Sequence, residues 1–175
     1  MSWGGKLVAL DDEELIEARK IGRERQANKE KRRVQSRKSS AKLDDTTAHI
    51  VGVMGELAVA KELGGEIDRN LRAGSDRWDV KLPCGHFVSV RTRDGDANRH
   101  PDRVILSNSR RESRSNTVCC IKRGMIVEIV GLWAPGDEVD IHDFGYGPRD
   151  TILFSKLRPL EQVEKHVKDC LEGLL

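Results

Sequence analysis

The sequence predicts an α/β (α+β) fold, a mixed β-sheet flanked by helices, with a basic helical segment at its N-terminus. Three observations predict it. Apolar residues recur at helical spacing over 15–21, 46–63 and 160–174, whereas they alternate with polar ones over 79–93 and recur in short runs over 103–130. No internal repeat is present. At 175 residues the chain is long enough to bury a sizeable core, here divided into a helical segment and linker, 1–45, and an α/β core, 46–175.

Taken in order, residues 1–5 form a short leader. Asp11, Asp12, Glu13 and Glu14 precede Leu15, Ile16, Ala18 and Ile21, placing acids in the first turn of a helix whose apolar residues share a face. Apolar residues thin out after Ile21, so the helix runs toward Arg33 with little to pin it, and Ser36 to Asp45 reads as a linker. A second helix, capped by Thr46 or Thr47, extends to Leu63 and ends at Gly64-Gly65. Ile50, Val53, Met54, Leu57, Val59, Ala60 and Leu63 are its buried stripe. His49 and Glu56, seven residues apart, lie within about 20° of each other around the helix and form a polar line beside that stripe.

Residues 70–78 form a loop. Asp79 to Leu82 and Val88 to Arg93 read as a hairpin turned by Pro83-Cys84-Gly85. Further strands are expected at 103–106, 117–121 and 125–130, the last two joined by Lys122-Arg123-Gly124. Residues 133–148 read as a Gly/Pro/Asp-rich loop packed down by Phe144 and Tyr146, with Leu153 and Phe154 near an edge. A last helix follows Pro159 and turns Leu160, Val163, Val167, Cys170, Leu171 and Leu174 inward.

Charge narrows the function. From Arg19 to Lys42 eleven Lys or Arg stand against two Glu, a local balance of +9 in a chain whose net charge is +2. Such asymmetry suits a polyanion met at one end of the molecule, and equally a solvated basic arm. There is no apolar run of membrane-spanning length and no signal-type N-terminus. The four cysteines, 84, 119, 120 and 170, have neither disulfide-framework nor zinc-ligand spacing, and Cys84-Gly85-His86 reads as a hairpin turn. All four are read as reduced thiols, for which a cytoplasmic location is expected.

The chemistry concentrates between Val51 and Arg93. Phosphodiester hydrolysis needs a hard divalent cation held by carboxylate oxygens and positive charge beside the phosphate. Asp79 begins one strand of the hairpin; Ser89 and Arg91 share a face of the other, because side chains alternate with a period of two. Glu56, on a helix packed against that sheet, supplies a second carboxylate. Residues 56, 79, 89 and 91 are therefore spaced for a metal–phosphate site. Arg91 reads equally as the structural partner of Asp79 or Glu56. Trp78 and Trp133 are read as core packing before base stacking.

The run GELAVAKELG, then GSDRWDV, then VSVRTR resembles the PD-(D/E)xK nuclease superfamily, and within it small phage-type proteins. His49, Gly52, Gly55 and Glu56 match a His-x-x-Gly-x-x-Gly-Glu helix; Asp79 and Val80 match the Asp-Val element. Val88, Val90, Arg91 and Thr92 match the third strand, and the likeness continues through Gly131-Leu132-Trp133 and Leu157 to Leu160. The resemblance implies a restriction-endonuclease-like fold, Mg²⁺ or Mn²⁺ on Asp79 and Glu56, and Arg91 in the place of the superfamily lysine. Ser89 replaces the usual acid, and Arg91 stays protonated, so it clamps phosphate better than it accepts a proton. Asp94 or Asp96 is a candidate replacement carboxylate.

Two functions follow as expectations: a metal-dependent nuclease acting on DNA with Glu56, Asp79 and Arg91 as its catalytic set, or a catalytically impaired nuclease-fold protein that grips nucleic acid or a protein partner. Arg25, Lys29, Arg32, Arg33, Arg91 and Arg93 are the candidate nucleic-acid contacts, with His49 and Ser89 as accessory site residues. A homodimer is compatible with either function, and a phage-encoded chain would act in the host cytoplasm.

Overall fold

The computed structural model describes residues 3–31, 44–69, 78–96, 102–105, 116–143 and 148–172. Its elements are β1 (Lys6–Ala9), α1 (Asp12–Lys31), α2 (Asp45–Leu63), β2 (Glu66–Ile67), β3 (Val80–Lys81) and β4 (Phe87–Asp94). They continue with β5 (Arg103–Ile105), β6 (Thr117–Arg123), β7 (Ile126–Trp133), β8 (Asp140–Asp143), β9 (Pro148–Leu153), a 3-10 turn (Phe154–Lys156) and α3 (Glu161–Leu171). No helix among the described residues is long and apolar enough to cross a membrane.

Six strands form a mixed sheet in the order β1-β7-β6-β4-β3-β2, and three form a second sheet, β5-β9-β8. Every pairing in the larger sheet is antiparallel except β4 with β6, where Ser89 lies opposite Thr117 and Arg91 opposite Cys119. Strand alternation assigns the two faces. Val88, Val90, Val118 and Cys120 join Val53, Met54, Leu57 and Ala58 of α2, Ala18 and Ile21 of α1, and Val163 and Val167 of α3 in one core. Cys119 and Ile121 point the other way, into a smaller core with Val104, Ile152 and Phe154 of the second sheet region and Trp133.

Local chemistry explains how α2 is set. Asp44, one residue before the helix, accepts from the Thr47 N–H at 2.9 Å and the Thr47 hydroxyl at 2.6 Å; these bonds hold its carboxyl below the usual range. The N-cap is therefore Asp44, not Thr46 or Thr47, because only Asp44 reaches the orphan N–H of the first turn. Gly64 ends the helix with φ 68°, as expected of a left-handed cap. A Cβ on Gly55 would fall on the Thr92 hydroxyl, so the bare backbone is what lets α2 lie down on β4.

Other expectations are corrected. Two strands were unforeseen: β1, before the first helix, pairs with β7, and β2 extends the opposite edge. Over Asp12–Lys31 six acids balance six bases, but four of the acids precede Arg19, so the part from Arg19 to Lys31 keeps six bases against Glu24 and Glu30. The turn between β6 and β7 falls at Gly124-Met125, and β7 runs on to Trp133. The stretch read as a loop contains β8 and the start of β9, and Phe154 is buried with Ile152 because β9 is the middle strand of its sheet. Leu171 is 60% exposed, since α3 is held by Leu160, Val163 and Val167 alone among its described apolar residues. Phe144, Tyr146, Leu174 and the Cys170 side chain lie outside what is described, as does most of the linker.

Candidate functional site

Asp79 stands just outside the two-residue strand β3. Its N–H donates to the Val88 carbonyl at 3.0 Å, and its Oδ2 accepts from the Val90 N–H at 2.7 Å. The carboxylate thus takes over a backbone donor where β3–β4 pairing stops. Arg91 approaches from the same strand: its Nη1 is 3.8 Å from Asp79 Oδ2 and donates to the Val90 carbonyl at 3.2 Å. Ser89 is buried opposite Thr117.

Glu56 sits among apolar residues on α2 with its side chain 6% exposed. A carboxylate cannot remain charged there without a partner. Arg25 of α1 provides one: Nη1 meets Oε1 at 2.6 Å and Nη2 meets Oε2 at 2.8 Å, a two-pronged pair. The guanidinium also donates to the Asp68 carbonyl at 3.1 Å, and the Asp68 N–H donates to the Asp79 carbonyl at 3.0 Å. Glu56 and Asp79 are joined through these intermediaries. Arg91 shares the face of Cys119, while Thr92 meets Gly55 of α2, so the strand arginine and the helix glutamate reach β4 from different sides. The structure brings Asp79 and Arg91 together directly and connects Glu56 to them through Arg25 and Asp68.

The remaining sequence candidates fall around this chain of contacts. Lys29 is paired with Asp45 at 3.1 Å, and Arg93 is buried at 5% exposure. Arg32 and Arg33 lie outside the described residues. Asp94 and Asp96 are held by Lys122 at 3.2 and 3.8 Å, at the far end of β4. Asp94 is five residues beyond Ser89, roughly 16 Å along the strand, too far to complete a site at Asp79. Trp78 stacks on Phe87 with ring centroids 4.7 Å apart, and Trp133 is core.

His49 is half-buried on α2. Burial, and then the positive charges of Lys29 and Arg25, lower its pKa below the ordinary 6.5. Well above pH 6.5 the ring is neutral in both folded and unfolded chains and contributes no pH dependence. As pH falls below 6.5, the unfolded chain takes up the proton first, so folding stability drops. His49→Gln is expected to flatten the acid side of the stability profile, measured by urea unfolding between pH 7.5 and 5; an unchanged slope would refute this.

Sequence reasoning missed Arg25 as the partner of Glu56 and missed Asp68 altogether. It read Cys84 and His86 as a hairpin turn and passed over His166, and the ligand atoms of these three residues lie within 4.8 Å of one another. Only the pairing of a buried acid with a helix cation had any sequence signal, Glu56 standing in an apolar run. By architecture this is a mixed α/β protein with a curled sheet and helices on one face. No protein-family model matches the chain, and no curated protein matches it either.

Proposed function

We propose that this protein is a nucleic-acid-binding module on a nuclease-like, restriction-endonuclease-like scaffold, and that it grips DNA without cutting it. The observation that carries the reading is charge balance: each of the two carboxylates expected to share a divalent cation has its own guanidinium, Glu56 with Arg25 and Asp79 with Arg91. Arginine does not release its proton, so these pairs persist at any working pH. With Ser89 neutral, no third carboxylate among the described residues stands with them at β4, and an Mg²⁺ or Mn²⁺ ion would have to displace fixed positive charge.

The gripping surface is α1 from Arg19 onward. Arg19, Lys20, Arg23 and Lys31 are exposed there and lead into the basic run that ends at Lys42. Phosphate contacts from such a surface are sequence-tolerant and salt-sensitive.

The test is fluorescence anisotropy with duplex and single-stranded DNA across a salt series, beside plasmid cleavage in Mg²⁺ and Mn²⁺. Expected is binding that weakens with salt, by a log–log slope of about −0.9 per duplex phosphate contacted, and is indifferent to EDTA. Reversing Arg19, Lys20 and Arg23 to Glu should weaken it at least about tenfold, in line with three lost phosphate contacts. Metal-dependent cutting abolished by Asp79→Ala would establish the enzyme instead. Failure to bind DNA or RNA at low salt would end both nucleic-acid readings and leave a protein partner or self-association as the role of this surface.

A further inference from the structure

We infer that Cys84, His86 and His166 form a binding site for a borderline-soft divalent transition metal of the Zn²⁺ type, clamping the β3–β4 hairpin to α3. The inference is independent of the DNA reading: the site lies at the turn of the hairpin, at the opposite end from Asp79.

The chain builds this site from two directions. In the turn Pro83-Cys84-Gly85, Gly85 adopts φ 87°, a left-handed conformation that folds Cys84 and His86 back toward each other. Cys84 Sγ lies 3.5 Å from His86 Nδ1. The third group arrives from eighty residues away: His166, on α3 between the buried anchors Val163 and Val167, puts Nε2 at 3.0 Å from the same His86 nitrogen. The two rings lie 4.9 Å apart and tilted by 36°.

Three features point to a cation. Tetrahedral zinc, with Zn–N of 2.0–2.1 Å and Zn–S of about 2.3 Å, requires neighbouring ligands to stand about 3.3 Å apart for N and N and about 3.5 Å for N and S. The contacts of 3.0 and 3.5 Å are close to those edges. Second, the donors converge: the two imidazole nitrogens and the sulfur all lie within 4.8 Å of one another, so a bound cation that draws Cys84 and His166 slightly together can use a lone pair from each. Third, one sulfur and two imidazoles form a set that favours zinc-like ions over Mg²⁺ or Ca²⁺, which take oxygen ligands.

Three protein ligands leave a tetrahedral ion one position for water or an incoming group. That position has somewhere to open: His86 and His166 line a cleft of about 620 Å³ that also includes Asn116, Arg158 and Gln162. On binding, the Cys84 thiol gives its proton to solvent and coordinates as thiolate. The other described thiols do not compete, because burial pushes Cys119 up to about 12 and Cys120 well above its usual range.

The full-length protein, stripped with chelator, is titrated with Co²⁺ and then Zn²⁺, and followed by absorbance and thermal unfolding. Expected are one equivalent bound, a thiolate-to-cobalt charge-transfer band, its disappearance on adding Zn²⁺, and a rise in melting temperature with metal. Cys84→Ser should abolish the band. His166→Gln should weaken binding at least about tenfold, the loss that even an outer-shell partner can cause. His86 and His166 are exposed and Cys84 is half-buried, so both variants should fold. Absence of the band, or binding unchanged in both variants, would overturn the proposal. If Cys84→Ser failed to fold, His166→Gln alone would decide it.

Discussion

Replacing Glu56 by alanine is expected to destabilise the protein by about 3–5 kcal/mol, the usual cost of leaving one member of a buried ion pair alone. The charge stranded is Arg25, whose side chain is 19% exposed and is held by two short bonds to Glu56 and one to the Asp68 carbonyl. Arg25→Met should be comparably harmful. The double change Arg25→Met with Glu56→Leu should recover most of the loss, because an apolar pair removes both desolvation penalties at once. Urea unfolding gives the comparison, read from midpoints at constant slope. A loss below about 1 kcal/mol for Glu56→Ala is the value for a solvated surface pair. Such a result would mean that Glu56 is not committed to Arg25 and is available to a cation, which would reopen the nuclease reading.

Glu128→Ala should cost about 3 kcal/mol and loosen the N-terminal edge of the sheet. Glu128 is 1% exposed in the middle of β7. It receives the Trp3 N–H at 2.6 Å, the Gly5 N–H at 3.3 Å and the Arg123 guanidinium at 2.7 Å. One carboxylate therefore ties the chain entering β1 to the β6–β7 hairpin, while the Trp3 ring rests edge-on against Phe154 at 5.6 Å. Glu128→Gln, which keeps an acceptor but loses the charge, should cost about 1–2 kcal/mol. Amide exchange is the sharper readout. Protection at residues 6–9 should fall in the alanine variant more than protection in β4 or β6, and equal losses across the sheet would contradict the assigned role.

How much of this was legible depended on distance along the chain. The hairpin around Asp79 and Arg91 could be read because its partners lie close in sequence and alternate with a period of two. The second helix could be read from its apolar stripe and its terminal glycine. Its cap was misplaced by two or three residues, because Asp44, Thr46 and Thr47 are all able acceptors and only the path of the chain selects Asp44. The strands β8 and β9 were lost in a Gly/Pro/Asp-rich stretch. There, turn chemistry outweighs a weak strand signal until Val104 and Ile152 supply the burial that makes the pairing worthwhile.

The site divides in the same way. That Glu56 is a buried acid needing a positive partner follows from its apolar neighbours; that the partner is Arg25 depends on how α1 crosses α2, with Gly22 against Ile50. Cys84 and His86 looked like a turn because their third companion, His166, is eighty residues away and carries no local mark. The sequence alone determined that there are three helices, one beginning at the acids of 11–14, one ending at Leu63 and one following Pro159, together with the β3–β4 hairpin and the uneven spread of charge, all governed by short-range periodicity and composition. Only the tertiary structure decided which charges neutralise one another and which nitrogen and sulfur atoms converge. Those outcomes turn on angstrom-scale distances between segments, and electrostatic and coordinate bonds are decided at that scale.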